Sequence, residues 1–597
     1  MSSSPDGPEQ DDGRSREPSR ALRILFRLRV WLAVVLRPTE LQVLLVWAGI
    51  IGVVGALSSH LFRAATDAIH AFATGNPGNY VESLAGVAWW RRILVPAVGG
   101  AIAGAVLHYG ARLRRSETSS DYMEAIVVGD GRVAFRQSVV KCFSAFFSAS
   151  SGASIGREGP LVQLAAMLAA LPGRWLTFSL PKRRQLVACG AAAGIASAYN
   201  APIGGAFFVA EIILGSLAME SFGPLVVSSV VATLVTRALE NATALYGATS
   251  FVLHGHAEVL AYVILGLCCG LIAPLYLRFL RGWEALFQRL PIHRIAKLTI
   301  GGAVVGTLAV VHPEVCGNGQ SVVYSILHDP WAWRALVIVL LFKVVATGAT
   351  FGSGAVGGVF TPTLLTGASL GYLFGLLVSV VAPYTGLDPS AYALVGMGAF
   401  LAAATGAPVM AIVMLFELTL NYEILMPMML ACVFAYYVCR AFETKFLYGE
   451  ALERKGAAVV AEQLAGLNVR DLLRPEPLTI ERTSSFREIA EAFLQNRFNY
   501  IYVVGGDQRY LGVVALHDVK GQLDNPELAR ILIAEDLLRD DFPTVTLGHS
   551  LEEALRLFER SGSERLPVLE SGDRPRLVGA LAKTDLLLHL LGRRKPA

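Results

Sequence analysis

Two ten-residue stretches of this chain combine residue types and spacings that suit the binding of an anion. The first, SGASIGREGP, covers residues 151–160, and the second, SGAVGGVFTP, covers residues 353–362, so matching positions lie 202 residues apart (353 − 151). Glycines such as Gly156 and Gly159 let the backbone approach a ligand closely. The unpaired N–H groups at a helix N-terminus carry about half a positive charge. Each stretch therefore predicts a helix N-terminus that attracts an anion without the full charge that would trap it.

Glu158 is the acidic residue of the first stretch, and the apolar Phe360 occupies the matching position of the second. A carboxylate within membrane-like sequence is energetically costly and indicates a function. Its charged form resembles a small anion and would compete for the same site, whereas its protonated form would be free to leave. Glu158 is therefore predicted to gate an anion pathway.

The prolines of the two stretches predict where the helices begin, because proline is favoured in the first helical turn. Pro160 predicts a helix over residues 161–170, and Pro362 predicts a helix that begins near Thr363. These two helices would direct their N-termini toward the ion.

The surrounding sequence is strongly apolar. Hydrophobic residues make up 54% of the 597 residues and charged residues 16%, with a mean hydropathy of +0.52, whereas a soluble domain has about 25% charged residues. The composition predicts a polytopic membrane protein. Apolar runs such as 41–56 and 94–108 are shorter than the roughly 20 residues of a straight span, which favours tilted or broken helices.

The repetition extends beyond the two stretches. Matching pairs also occur upstream and downstream: Lys141 with Lys343, Ala201-Pro202 with Ala407-Pro408, and Glu211 with Glu417. The membrane body, residues 39–450, is therefore predicted to be all-α and to consist of two related halves, about 39–240 and 257–450. Paired segments interrupted by Gly and Pro are typical of the binding site at the interface of such halves.

The ends of the chain differ in composition from the membrane body. Residues 1–38 predict a polar tail and a lead-in helix, and the arginines before the first apolar run place the N-terminus in the cytoplasm. After a linker at 451–467, the sequence becomes charged and contains a second repeat, 468–530 and 531–597. Each copy predicts a strand, an amphipathic helix, a β-hairpin and a helix. The seven cysteines show no metal or disulfide spacing, and a net charge of +4 does not suggest nucleic acid.

The motifs GREGP and GGVFTP, with Tyr448 in the run KFLY, resemble the CLC chloride channels and transporters over about 410 residues, in particular the ClcB-like bacterial branch. The C-terminal repeat resembles a tandem pair of CBS domains. The resemblance implies the CLC fold of two inverted repeats plus an α/β CBS pair. It also implies a homodimer with one pore per subunit, chloride as substrate, and a place in the bacterial inner membrane with both termini cytoplasmic.

The resemblance also assigns site residues. Glu158 matches the external gating glutamate, and Tyr448 matches the tyrosine that coordinates the ion on the intracellular side. Ser120 falls on the coordinating serine, although the family's Gly-Ser-Gly-Ile-Pro-Glu reads Ser-Ser-Asp-Tyr-Met-Glu here, and an ordinary helix N-cap is the alternative. The remaining anion-binding candidates are Gly156, Arg157, Gly159, Val359 and Phe360.

Proton coupling is the open question within this family. The position of the internal proton-relay glutamate holds Ile212, which cannot carry a proton. The preceding Glu211 is either a substitute relay or a structural residue, since it recurs as Glu417. Passive, channel-like chloride conduction is therefore predicted, with a chloride/proton antiporter as the alternative. A CBS-linked divalent cation transporter would need clustered carboxylates in the membrane, and an enzyme would need a nucleophile–base pair; the sequence offers neither.

The CBS pair predicts at most a weak nucleotide site. Asp518 and Asp585 match the aspartates that bind ribose in such domains, but the associated threonine positions hold Ala515 and Ala582. A structural role is at least as consistent with these residues, and no cofactor or metal is expected to be required.

Overall fold

The computed structural model describes most of the chain: residues 40–75, 79–111, 121–127, 129–175, 178–240, 244–247, 256–381, 388–449, 464, 466–496, 498–522, 531–570 and 575–590. The predicted tail at 1–38 and most of the linker at 451–467 lie outside these residues. The chain divides into two compact units, Met1–Leu452 and Glu453–Ala597. The elements described in the first unit are helices, and the second unit combines strands and helices.

The helices of the first half of the membrane unit share a high content of Ala, Gly, Leu and Val. They are α1 Glu40–Thr74, α2 Tyr80–Ala85, α3 Trp89–Gly110, α4 Tyr122–Val127, α5 Phe135–Ser150, α6 Glu158–Ala169, α7 Pro172–Trp175, α8 Leu180–Tyr199, α9 Pro202–Phe207, a π-helical turn Phe208–Ile213, and α10 Met219–Glu240.

The second half repeats this order of elements. Its helices are α11 His256–Arg289, α12 Arg294–Val311, a 3₁₀ turn Pro313–Val315, α13 Gln320–His328, α14 Trp333–Gly352, α15 Phe360–Val381, α16 Pro389–Thr405, α17 Pro408–Thr419 and α18 Leu425–Phe442. In the described part of the chain, eight helices are long and apolar enough to cross a membrane: α1, α3, α10, α11, α12, α14, α15 and α18.

The equivalent helices α3 and α12 pack against each other in opposite directions through glycine. A Cβ atom on Gly100 would lie 2.3 Å from the Leu298 carbonyl oxygen, and one on Gly302 would lie 2.1 Å from the Pro96 carbonyl oxygen. The partner number falls as the helix number rises, so the two helices are antiparallel. Because equivalent helices run in opposite directions, the two halves are inverted, and the predicted fold class is confirmed.

The predicted starts of the two cassette helices are wrong by three residues. Helix α6 begins at Glu158 and helix α15 at Phe360 rather than at 161 and near 363. Pro160 and Pro362 are therefore the third residues of their helices, which is possible because no N–H in the first turn has an intrahelical acceptor. The earlier starts place Glu158 itself in a first helical turn.

The C-terminal unit contains two copies of one motif, as predicted. Each has a three-stranded sheet in which the first strand is parallel and the third antiparallel to the middle strand. Amphipathic helices follow the first strands, and Ser485 and Ser550 cap them in capping boxes with Glu488 and Glu553. The elements are β1 Thr479–Glu481, α19 Phe486–Gln495, β2 Tyr500–Val504, β3 Tyr510–Ala515, α20 Leu516–Gln522, β4 Val545–Thr546, α21 Leu551–Ser561, β5 Arg565–Leu569, β6 Leu577–Ala582 and α22 Lys583–Leu590.

The segment before the first strand of each copy packs on the other copy. Arg474 exchanges two backbone hydrogen bonds, both 2.9 Å, with Ala580 of the second copy. In the same way, Arg539 exchanges backbone hydrogen bonds of 2.8 and 3.0 Å with Val513 of the first copy. The two copies are therefore interlocked, and each completes the fold of the other.

Candidate anion site

The two glycine-rich cassettes meet through their backbones. Gly156 N–H donates to the Gly358 carbonyl (2.6 Å), and Gly358 N–H donates to the Gly156 carbonyl (3.0 Å), which forms an antiparallel bridge. These glycines stand two residues before the first residues of helices α6 and α15. The pairing therefore brings the N-termini of two inverted helices to one place, as the sequence predicts.

The Glu158 carboxylate lies at the N-terminus of the opposite helix. Its Oε1 accepts hydrogen bonds from the backbone N–H groups of Phe360 (3.2 Å) and Thr361 (3.4 Å). Only 5% of Glu158 is exposed, and Phe360 is fully buried. The amides of Phe360 and Thr361 are called the anion seat below. Because these N–H groups belong to the first turn of α15, they lack intrahelical acceptors and attract negative charge.

The glycines of the cassettes make room for this carboxylate. A Cβ atom on Gly156 would lie 1.8 Å from Glu158 Oε2, and one on Gly358 would lie 2.5 Å from Oε1. Gly159 is constrained by backbone, since its Cβ would lie 3.1 Å from the Gly358 nitrogen. Any side chain at Gly156 or Gly358 would compete with the carboxylate for the seat.

Two residues at the seat were missed by the sequence reasoning. The Thr361 amide binds the carboxylate, and the hydroxyl of the buried Tyr199 lies 2.9 Å from Thr361 Oγ1. The Tyr199 ring lies 4.9 Å from the Phe360 ring, centroid to centroid. Tyr199 ends helix α8, far from both cassettes in the sequence, so no local pattern points to it.

Aromatic rings continue from the seat to Tyr448. The Phe208 ring lies 6.4 Å from the Phe360 ring and 5.5 Å from the Tyr448 ring, centroid to centroid. Leu447 N–H donates to the Ala404 carbonyl (3.0 Å), which ties the Tyr448 segment to the end of α16. The structure thus brings Tyr448 and Phe360 to the same aromatic cluster.

The other predicted anion-binding residues have different outcomes. The Arg157 guanidinium binds Asp67 Oδ1 (2.7 Å) and Thr66 Oγ1 (3.2 Å), so the side chain is committed to helix α1 rather than to the seat. Val359 is buried directly before α15, but the bonds to Glu158 come from the next two amides. Ser120 lies outside the described residues.

Glu211 and Glu417 each accept hydrogen bonds from the N-terminal amides of a helix in the other half. Glu211 accepts from Val409 N–H (3.2 Å) and Met410 N–H (2.6 Å) at the start of α17. Glu417 accepts from the N–H groups of Ile203 (2.9 Å) and Gly204 (2.7 Å) at the start of α9. Both oxygens of each carboxylate accept hydrogen bonds. The two caps occupy equivalent places in the two halves, which indicates a structural role for both glutamates. Ile212, next to Glu211, packs against the apolar core.

The CBS aspartates are paired with arginines across the interlocked copies. Asp585, 1% exposed, binds Arg474 through two bonds of 2.6 and 2.8 Å. Asp518 binds Arg539 through two bonds of 2.6 and 2.7 Å. Hydrogen bonding to Asp585 raises the pKa of Arg474, and bonding to Asp518 raises the pKa of Arg539. Such bidentate geometry fixes the register of the two segments that carry the arginines.

Comparison with known proteins agrees with this geometry. The family model for voltage gated chloride channels matches residues 99–440, and the CBS domain model matches 469–525 and 534–592. A ClcB-like chloride channel protein of Ralstonia nicotianae is 46% identical over 411 residues, which cover 68% of this chain and 96% of the relative. The voltage-gated ClC-type chloride channel ClcB of Citrobacter koseri is 38% identical over 409 residues, covering 67% and 97%.

Solved structures share the fold. A slow cyanobacterial Cl⁻/H⁺ antiporter is 25% identical with a TM-score of 0.62 and covers 69% of this chain and 98% of its own. A eukaryotic CLC transporter, 19% identical, matches with a TM-score of 0.58 over 91% of this chain and 97% of its own, which shows the fold alone. The chain therefore belongs to the voltage-gated chloride channel family, the CLC channels and transporters, as a multi-pass membrane protein of the bacterial ClcB-like group with C-terminal CBS domains.

Proposed function

We propose that this protein conducts chloride passively across the membrane through the anion seat, with Glu158 as the gate. The observation that carries the proposal is the Glu158 carboxylate, an anionic group bound by the first-turn amides of α15. A seat that binds carboxylate oxygen through backbone N–H groups also suits chloride, since both ligands are monovalent anions that accept hydrogen bonds. Protonation of Glu158 would release the seat. Chloride is the substrate; no cofactor and no catalytic reaction are part of the proposal.

Passive conduction is favoured over proton exchange by the residues at and next to the proton-relay position. Exchange requires a proton route from the inner solution to Glu158. Ile212 stands at the relay position and cannot titrate, and both oxygens of Glu211 accept backbone hydrogen bonds. The alternative, a chloride/proton antiporter, is favoured by the similarity to the cyanobacterial Cl⁻/H⁺ antiporter.

A single measurement distinguishes passive conduction from proton exchange. The purified protein is reconstituted in liposomes under a chloride gradient, and proton movement is recorded together with chloride efflux. Passive conduction predicts efflux without uphill proton movement. Stoichiometric proton pumping that disappears in Glu158→Gln would establish the antiporter.

A matched pair of variants then tests Glu211. If proton pumping occurs, Glu211→Gln and Glu417→Gln are compared, because the two glutamates cap equivalent helices in the two halves. A relay role predicts that only Glu211→Gln stops the protons. A structural role predicts similar effects of both substitutions on chloride efflux and protein stability.

The assembly and location are proposed by analogy with the family. We propose a homodimer with one pore per subunit, in the bacterial inner membrane, with both termini in the cytoplasm. The inverted halves and the eight long apolar helices among the described residues are compatible with this placement. To check the topology, cysteines are introduced near residue 5 and near residue 595, and their labelling is compared in intact and opened cells. Cross-linking in native membranes checks the dimer.

The CBS pair is proposed to regulate or stabilise the protein rather than to form the pore. The pairing of Asp518 and Asp585 with arginines, together with Ala515 and Ala582 at the threonine positions, supports a module that does not need adenine nucleotide. Deletion of residues 465–597 should leave the chloride-to-nitrate preference unchanged while altering rate or stability. A changed preference, or nucleotide binding that shifts the unfolding temperature, would contradict the proposal.

A further inference from the structure

A groove of about 380 Å³ opens on the surface of the membrane unit between helices α1, α3 and α5. Its walls are mainly apolar. On α3, Leu94, Val98 and Ile102 recur at helical spacing and are 50%, 45% and 40% exposed, respectively. Both α1 and α3 are long enough and apolar enough to cross the bilayer, so this face meets lipid tails. A groove of this size and lining fits part of an acyl chain.

One end of the groove has the features of a membrane–water interface. Helix α3 begins with Trp89 and Trp90, which are 65% and 51% exposed, and tryptophans favour the headgroup level of a bilayer. Helix α1 ends nearby, since Ala73 in its last turn also lines the groove. The groove therefore runs from the headgroup level at Trp90 toward the membrane interior at Ile102.

Two adjacent arginines at this end of the groove, Arg91 and Arg92, differ in their contacts. The Arg92 guanidinium donates to the carbonyls of Ala85 (2.7 Å), Val87 (3.0 Å) and Val310 (3.3 Å), so the protein itself satisfies it. Arg91 is exposed and lines the groove, and among the described residues its guanidinium contacts only the Trp90 ring, 5.8 Å from the centroid. Within the described part of the chain, the Arg91 guanidinium therefore has no hydrogen-bonding partner at the mouth of an apolar groove.

We infer that this groove binds an anionic glycerophospholipid, with one acyl chain between α1 and α3 and the phosphate on Arg91. Arginine at the headgroup level supplies the charge that an anionic headgroup requires. The inner wall of the groove includes Ser150 and Ser151, and Ser151 is the first residue of the cassette that ends at Pro160. The bound chain would therefore contact the back of the segment that carries Glu158.

The test uses full-length protein in phosphatidylcholine nanodiscs that contain a trace of phosphatidylglycerol with a photoactivatable acyl chain. Adducts are mapped by mass spectrometry. We expect labelling of residues 69–73 and 94–102, competition by unlabelled phosphatidylglycerol, and no equivalent labelling by a photoactivatable phosphatidylcholine. Arg91→Gln should lower the labelling about fivefold, the equivalent of about 1 kcal/mol for one basic residue near an anionic headgroup.

The chain provides a matched control. Arg334 follows Trp333 at the start of α14 and lies 5.3 Å from its ring centroid, as in the Trp90–Arg91 pair, but it is not among the residues that line this groove. Arg334→Gln should leave the labelling unchanged, and Ala73→Phe, which fills the groove, should abolish it. Equal labelling by the two photoactivatable lipids, or wild-type labelling in both Arg91→Gln and Ala73→Phe, would overturn the inference.

Discussion

Replacement of Glu158 by glutamine removes the charge of the gate while retaining its size. In the structure, one carboxylate oxygen accepts hydrogen bonds from the backbone amides of Phe360 (3.2 Å) and Thr361 (3.4 Å) at a helix N-terminus. A glutamine carbonyl could accept the same bonds, so the substitution isolates the contribution of the charge. The expected result is a protein whose seat is more often available to chloride.

The size of the effect follows from these contacts. A hydrogen bond to a charged group contributes about 1.5–3 kcal/mol and a neutral one about 0.5–1.5 kcal/mol, so each of the two bonds loses about 1 kcal/mol. Loss of the interaction with the helix dipole adds about 1 kcal/mol. The total of about 3 kcal/mol shifts the balance between occupied and vacant seat roughly a hundredfold toward vacant.

The assay is chloride efflux from liposomes between pH 4.5 and 8. In the wild type the charged carboxylate closes the seat at neutral pH, and protonation neutralises it as the pH falls, so efflux should rise with acidification. Glu158→Gln should show high efflux at every pH. Glu258→Gln is the control, because Glu258 is also a buried glutamate on an apolar helix but accepts a bond from Tyr262 (2.8 Å) instead.

Two results would refute the reasoning. If Glu158→Gln retained the wild-type rise of efflux at low pH, another group would be the gate. If Glu258→Gln removed the pH response as completely as Glu158→Gln, the response would not report the anion seat. Efflux per folded protein, counted after size-exclusion chromatography, separates gating from loss of protein.

Three further predictions address the neighbouring contacts. Tyr199→Phe should raise efflux several-fold at neutral pH, because it removes a hydroxyl beside the gate; unchanged efflux would exclude this role. Tyr448→Ala should weaken chloride binding about tenfold in calorimetry if its hydroxyl donates to the ion, at about 1.5 kcal/mol, and unchanged affinity would remove Tyr448 from the ion path. Arg474→Ala should destabilise the CBS unit by about 2 kcal/mol, since it removes two charge-assisted hydrogen bonds to the buried Asp585. Arg487→Ala is the control, because Arg487 pairs with Glu491 on the exposed surface and such pairs contribute little to stability. Equal shifts in scanning calorimetry for the two arginine variants would contradict the prediction.

The sequence was sufficient to predict the two cassettes and the meeting of their helix N-termini, because the repetition of ten residues encodes both. The role of Glu158 as the gate stays a prediction. The sequence was not sufficient to identify the amides of the seat. The family resemblance pointed to the amides of Val359 and Phe360, whereas Glu158 accepts hydrogen bonds from those of Phe360 and Thr361. Proline was expected directly before the first helical residue, whereas Pro362 is the third residue of α15. The first helical turn tolerates proline at more than one position, so the motif alone does not fix the start.

Long-range partners account for the other differences. Asp67 binds Arg157 from 90 residues away and is not part of any repeat. Tyr199 reaches Thr361 across 162 residues. The recurrence of Glu211 as Glu417 did indicate a structural role, but the acceptor geometry became visible only when the starts of α9 and α17 were placed together. Periodicity predicts elements, whereas such contacts depend on how the elements pack.

The reciprocal caps of Glu211 and Glu417 have a consequence for biogenesis. The amides that satisfy Glu211 belong to residues synthesised 198 and 199 positions later. Until then, the first half holds a carboxylate and, at the start of α9, two N–H groups without their final partners, all of which are costly in an apolar phase. The first half alone is therefore expected to be short-lived in the membrane. Co-expression of the two halves as separate chains should rescue both, because each supplies the missing caps of the other.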